Sequence, residues 1–358
     1  MNFDLSEEQQ LFTDTVERFS APIDVEARRK LRMLGGGYDR ARWQELAELG
    51  LIALAVDEEQ GGMGGSSVDL ALVGEAIGKA ISPDPWLENA ALPARILSCA
   101  GEAEALERAM SGEAIFTLAW AERCQRYCTA PKQTRLEGDR LTGEKTFVFG
   151  AAIADHFLIT ARDGDDLAII SLPRETDGLD LRTYPIADGS LAGELRFNHV
   201  QVAAENKLSV SQDDLAQAVA DTRLLAAAES VGLGQRLLDD TLTYVKEREQ
   251  FGVPIGSFQT LQHRLVDCYA KIEQARSMLY RAAMSDAADM ANWQSSCAGA
   301  KAYISETIDH VAREAVQMHG GMGITDELAI GHAMKRLLVL SRLFGDVETN
   351  LAEYAVAA

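Results

Sequence analysis

Residues 261–279 read "LQHRLVDCYAKIEQARSML". Leu261, Leu265, Cys268, Ile272, Ala275 and Leu279 step by 4, 3, 4, 3 and 4, which returns each apolar side chain to one face of a 3.6-residue helix. The same habit recurs twice. Ile304, Ile308, Val311, Ala315 and Met318 form one further stripe, and Ile330, Ala333, Leu337, Leu340 and Phe344 another. Together with a helical run over about 214–246, these stripes predict a four-helix bundle over residues 206–358.

Upstream of the bundle the period changes. Over residues 116–205 the chain reads as short β runs broken by turns. "TRLEGDRLTG" holds a Gly-Asp turn, "HFLITARDGDDLAIISL" sets two apolar runs around an acidic glycine turn, and "GELRFNHVQV" alternates. These are hairpin signals of one compact β domain. Residues 1–115 read helical again. Ser6 and Gln9 fit a capping box, Phe12, Val16 and Phe19 follow at helical spacing, and "RARWQELAEL" and "SVDLALVGEAIGKA" continue the pattern. The glycines of "DEEQGGMGGSS" make a loop between those helices. The expected fold class is mainly α with a central β domain: helices, β domain, bundle.

The bulk composition bounds the partners. A net charge of -21 on 358 residues opposes a phosphate backbone, so a nucleic-acid surface is not expected. It leaves room for a phosphorylated cofactor, which needs only a few local donors. The five cysteines, Cys99, Cys124, Cys128, Cys268 and Cys297, form no CxxC and lack nearby histidines at ligand spacing, so neither disulfides nor a metal are expected. "MNFDLSEEQQ" has no apolar leader core, and no long apolar run follows. No membrane span is expected, and a cytoplasmic, reducing location is.

Two segments could carry chemistry. "REQFGVPIGSFQTLQHRLVD", residues 248–267, links two bundle helices. It is either a plain helical hairpin or a clamp in which Arg248 pairs with phosphate, Phe251 lies on a flat ring and Gln259 or Gln262 bonds a polar edge. "QMHGGMGIT", residues 317–325, either ends a helix or uses its glycines to let a ligand approach the backbone beside Gln317 and His319.

With this spacing and this α, β, α order the chain resembles the acyl-CoA dehydrogenase family over essentially its whole length. "EREQFGVPIGSFQ", "QMHGGMGIT" and "DEEQGGMGGSSVDLALVGEAIGKA" carry the resemblance. It implies an N-terminal helical domain, a central β-barrel and a C-terminal four-helix bundle. FAD is the implied cofactor, an acyl-CoA thioester the substrate, and an electron-transfer flavoprotein or similar protein the acceptor. By the resemblance Arg248, Phe251, Gln259, Gln317 and Gly321, with His319 and Gly320 in the same segment, grip the pyrophosphate and adenosine of an FAD bound mainly by a neighbouring subunit. Arg223 either meets the substrate's CoA or acyl carbonyl region or sits in a salt bridge within the bundle.

Several positions depart from the family pattern. The Thr-Glu-Pro and Gly-Ser-Asp triplets that hold the isoalloxazine are not seen in "LAWAERCQRYC". In "GEKTFVFGAAIAD" Phe147 stands for the family's flavin-covering Trp and Phe149 for its Thr, and a phenyl ring donates no hydrogen bond. In "FGDVET" Gly345 falls where many members place the catalytic glutamate, and Thr222 stands at the alternative base position ahead of Arg223. Asp221 would face about 100° away on a helix. Three readings stay open. Asp346 is a displaced base in a homomeric dehydrogenase; or the chain is the partner in a hetero-oligomer, tetrameric by the resemblance, of the small-subunit type found in pimeloyl-CoA dehydrogenase; or it is an FAD-free assembly or acyl-CoA-binding subunit.

Overall fold

The computed structural model describes residues 5–20, 25–33, 38–123, 125 and 127–357. The first helices are α1 (Glu7–Phe19), α2 (Val25–Met33), α3 (Arg40–Glu48), α4 (Ser67–Ala80), α5 (Leu92–Ala100) and α6 (Ala103–Met110). The capping box read from Ser6 and Gln9 is present at the start of α1, with both reciprocal bonds made. Strands follow: β1 (Phe116–Ala119), β2 (Arg135–Glu137), β3 (Arg140–Phe149), β4 (His156–Asp163), β5 (Asp166–Pro173), β6 (Leu179–Pro185), β7 (Leu191–Gln201) and β8 (Lys207–Leu208). The remainder is α7 (Gln212–Glu247), a short hairpin of β9 (Glu249–Gln250) and β10 (Val253–Pro254), then α8 (Gln259–Ala283), α9 (Met290–His319), α10 (Ala329–Leu340) and α11 (Val347–Ala357). No helix among the described residues is long and apolar enough to cross a membrane.

The chain divides into two compact units that do not follow its order. One comprises Met1–Arg29, Ser67–Pro83 and Arg223–Ala358; the other comprises Lys30–Ser66 and Asp84–Thr222. In the first, the three stripes point inward as expected: Ile272, Ile304, Ile308, Ala333 and Leu340 are fully buried. Segment α4 enters this unit through glycine. A Cβ on Gly78 would lie 2.0 Å from the carbonyl oxygen of Glu229, and one on Gly232 would lie 1.9 Å from that of Glu75. The backbones of α4 and α7 therefore touch where side chains would normally separate them.

In the second unit the sheet is 8-stranded, in the order β6-β7-β3-β2-β4-β5-β8, with β1 parallel to β4. The hairpin read from "HFLITARDGDDLAIISL" is β4 against β5, in register from His156 and Pro173 to Asp163 and Asp166. Gly164 takes a positive φ of 61° in its turn, which glycine adopts without penalty. Phe157, Ile159, Ile170, Leu195, Phe197 and Val200 fill the core of the sheet. Where the resemblance implies a barrel, the described pairings run as an open path whose ends, β6 and β8, do not pair with each other. Directly before α5, residues Trp86–Ala91 form a π-helical turn that the sequence did not announce. It is buried throughout, and the Trp86 indole N–H donates to the carbonyl of Leu51 at 2.8 Å.

Candidate functional site

Helix α7 gives way to a two-residue hairpin loop, Phe251 and Gly252, at φ 57° and 80°. Two positive φ values are what such a tight turn demands. Glycine meets the demand freely, but a bulky side chain there is an outlier. Even so, Phe251 is 93% exposed, its ring edge-to-face with that of Phe258 at 6.2 Å. Strain kept without burial points to a use other than folding. Arg248 anchors the hairpin through its backbone, donating to Tyr244 O and accepting from Ile255 N, both at 2.8 Å, and its side chain is exposed. Gln259 opens α8 and is exposed, whereas Gln262 donates to Gly256 O at 3.0 Å and is committed to the loop.

The end of α9 meets the base of this hairpin. His319 stacks on Tyr244, in the last turn of α7, with ring centroids 4.3 Å apart, and its Nδ1 lies 2.8 Å from Ala315 O. The ring expected beside a ligand is thus buried in the bundle, because an imidazole on the inner face finds both a carbonyl and an aromatic partner. Gln317 points out and is exposed. Gly320 has φ 59°, and a Cβ on it or on Gly321 would meet nothing within 4 Å. An exposed guanidinium, two exposed carboxamides, an exposed phenyl ring and bare backbone suit the pyrophosphate and adenosine of FAD. That half of the implied cofactor fits.

The turn after α10 is different in kind. Phe344 and Gly345 have φ 52° and 123°, and a Cβ on Gly345 would lie 2.5 Å from Asn350 Nδ2. Position 345 is glycine for both backbone and space. Asp346, the candidate base, sits at the cap of α11: its Oδ1 accepts from Thr349 N at 2.9 Å and from Thr349 Oγ1 at 2.7 Å. A first-turn amide has no partner within its own helix, which is why an aspartate is favoured there. The expected displaced base is thus engaged as a helix cap, and Glu348 is exposed in the following turn. Arg223 is 7% exposed; its Nε donates to Phe344 O at 3.0 Å and its Nη1 to Glu353 Oε1 at 2.6 Å. It is placed in a salt bridge within the bundle. In the other unit, Thr222 Oγ1 donates to Ala218 O, while Asp221 pairs with Arg95 at 3.2 Å and accepts from Gln217.

Sequence reasoning missed Lys301. It is 1% exposed, and its Nζ reaches Gly345 O and Ser305 Oγ only at 3.5 Å each. Burial first, then the nearby Arg223 and Arg342 guanidiniums, push its pKa down to about 7, with Asp346 opposing. A signal was present: Lys301 lies three residues before Ile304, on that helix's buried stripe.

In the sheet unit, Phe147 sits in a bulge of β3 against β7 at φ 50°, its ring 57% exposed. Its N–H donates to Tyr184 Oη at 3.1 Å, and the two rings meet edge to face at 6.1 Å. Phe149 is half-buried, and its carbonyl accepts from Thr117 Oγ1. A ring face is available here, but neither phenylalanine side chain offers a donor, so the isoalloxazine is served less well than the tail. Trp120 is buried, and Cys124 lies outside the described residues.

The same region holds a second feature that the sequence reading passed over. Glu122 accepts from the amides of Lys132, Gln133 and Thr134 at 2.7–3.0 Å and from Lys145 Nζ at 2.9 Å. Lys145 also donates to Trp120 O and Thr160 Oγ1. Both side chains are essentially unexposed. Burial alone would raise the Glu122 pKa; the amides and Lys145 overcome it and hold the carboxyl down at about 2.

The family model for the acyl-CoA dehydrogenase N-terminal domain matches residues 6–111, and that for the C-terminal domain matches residues 214–357. The chain is 34% identical over 353 residues to acyl-CoA dehydrogenase IpdE2 of Mycolicibacterium smegmatis, covering 97% of each. Among solved structures, it is similar to one of the ChsE4-ChsE5 complex from Mycobacterium tuberculosis, with TM-score 0.89 and 27% identity over 99% of this chain and 98% of that one. It is also similar to butyryl-CoA dehydrogenase from Megasphaera elsdenii, with TM-score 0.87 and 26% identity over 100% of this chain and 99% of that one. The chain belongs to the acyl-CoA dehydrogenase family, whose members are FAD-binding flavoproteins and oxidoreductases acting on CH–CH groups.

Proposed function

We propose that the chain is the half-site partner in a heteromeric acyl-CoA dehydrogenase that desaturates an acyl-CoA thioester between Cα and Cβ and passes electrons to an electron-transfer flavoprotein or similar acceptor. FAD, when bound, supplies the hydride acceptor. Arg248 would pair with its pyrophosphate, Phe251, Gln259 and Gln317 would hold the adenosine, and Gly321 would let the backbone approach. The companion subunit supplies the base and most of the ring contacts.

The observation that carries this reading is the Gly345 turn. Proton abstraction beside a thioester needs a carboxylate within hydrogen-bond reach of the α carbon. Position 345 has no carboxylate, its φ of 123° disfavours any side chain, and the neighbouring Asp346 is bonded to Thr349. The likeness to a solved complex of two differently named chains supports the same reading.

The visible spectrum tests it. Purified alone, the chain is expected to be colourless or only weakly yellow; co-expressed with its companion, it joins a yellow complex that acyl-CoA bleaches. Yellow, bleachable protein from the chain alone would sink the partner reading, and a colourless but stable complex would favour an FAD-free assembly role. The homomeric alternative is tested at Asp346. Asparagine caps a helix about as well as aspartate, so Asp346→Asn is expected to leave turnover of the assembled complex within about tenfold, roughly 1.4 kcal/mol in barrier. A loss of several thousandfold would make Asp346 the base.

A further inference from the structure

The turn at residues 343–346 is held from beneath by two buried cations. Arg223 donates to Phe344 O at 3.0 Å, and Lys301 Nζ lies 3.5 Å from Gly345 O. The two are not alike. Arg223 has Glu353 at 2.6 Å as counter-charge. Lys301 has two long contacts, both to uncharged oxygens. The charged groups acting on its amine are Arg223 from α7, and Arg342 and Asp346 from the turn itself. Glu353 of α11 stands opposite Arg223. Of these only Asp346 is favourable, and its Oδ1 is already accepting two hydrogen bonds from Thr349. The turn above carries two consecutive positive φ values, and Asn350 Oδ1 beside it is buried with no hydrogen-bond partner among the described residues.

The geometry points to Lys301 as a positioning residue that makes the order of residues 343–346, and of α11 behind them, respond to proton uptake by its buried amine. The neutral amine tolerates this site: it still donates to Gly345 O and no longer opposes Arg223. The ammonium does not. To be hydrated it must leave the bundle, and the carbonyl contact under Gly345 goes with it. The reaction is a single proton exchange with solvent and needs no other reactant.

The sign follows from linkage. The folded amine titrates near 7 and the unfolded one near 10.5, so between those limits the opened state binds more protons. Closure is therefore favoured as pH rises through that window, and below it the full penalty is present. One proton corresponds to about tenfold in the opening constant per pH unit at the steepest. The inference is independent of whether this chain or a companion carries the base.

Hydrogen exchange at the amides of Phe344, Gly345 and Asn350, normalised to intrinsic rates and followed from pH 6 to 9, tests it on the full chain or its complex. The wild-type opening constant is expected to be flat below about pH 7 and to fall by up to about tenfold per unit above it. Lys301→Met should be flat and protected throughout, and Lys301→Arg, which keeps its charge, flat and open. Should the methionine variant fail to fold, Asp346→Asn carries the test. Removing the single favourable charge moves the onset of protection to lower pH. A flat wild-type profile, a slope that survives in Lys301→Met, or an unmoved onset in Asp346→Asn overturns the proposal.

Discussion

Glu122→Gln is expected to destabilise the sheet unit by about 3–5 kcal/mol, the cost of breaking a buried ion pair from one side. The substitution leaves the Lys145 ammonium without its counter-charge in a site with no exposure. It also turns an amide NH2 toward a ring of N–H donors from Lys132, Gln133 and Thr134. Lys145→Met should cost less, because the three amides continue to satisfy the carboxylate. Urea unfolding at neutral pH separates the two, and equal effects would mean that the amide cradle adds nothing. The acid limb provides a second readout. The Glu122 pKa lies at about 2 in the folded chain against 4.5 ordinarily. Its contribution, on the order of 3 kcal/mol, is therefore complete above the ordinary value and is lost as pH falls toward 2. Glu122→Gln should lack that part of the acid slope.

Gly232→Ala should be at least as damaging for a single methyl group. Its Cβ would stand 1.9 Å from Glu75 O and 2.7 Å from Lys79 N, both backbone atoms of α4 that no rotamer change moves aside. Overpacking usually costs about 1–3 kcal/mol where side chains give way; here two helices must separate. The expected outcome is a loss of more than about 3 kcal/mol or failure to accumulate folded protein. Alanine is the better helix former by about 1 kcal/mol, so a more stable Gly232→Ala variant would refute the close crossing outright. Gly101→Ala isolates backbone strain instead, since a Cβ there meets nothing within 4 Å while its φ of 71° disfavours alanine, and it should cost only about 1 kcal/mol.

The bundle was legible because its apolar steps repeat over many turns, and Ile304, Ile308, Val311 and Leu340 are all buried as read. Helix α4 spans the quoted "SVDLALVGEAIGKA", and the β4 and β5 hairpin follows its glycine turn. What the sequence hid depends on distance along the chain. Gly74, Gly78 and Gly232 look like weak points of helices until α4 and α7 are seen to touch. Glu122 and Lys145 lie on separate elements with no local pattern joining them. The Gly345 position was identified from the resemblance, yet the role of Asp346 could have been read locally, since an aspartate three residues ahead of a threonine at the start of "DVETNLAEYAVA" is a capping arrangement. Phe251 and Gly252 gave no sign of a hairpin, because phenylalanine is not a residue that turn statistics place at a positive φ.

The interleaved make-up of the two units has a consequence for how the chain matures. As synthesis proceeds, the unit built from Lys30–Ser66 and Asp84–Thr222 has all its parts once Thr222 has emerged from the ribosome. The unit that needs Met1–Arg29 and Ser67–Pro83 must wait for Arg223–Ala358. Until then α4 displays a glycine-lined face with no helix to receive it. Late, long-range closure of this kind is slow and exposed to aggregation. Nascent α1 and α4 are thus the segments of this chain with the greatest claim on a chaperone.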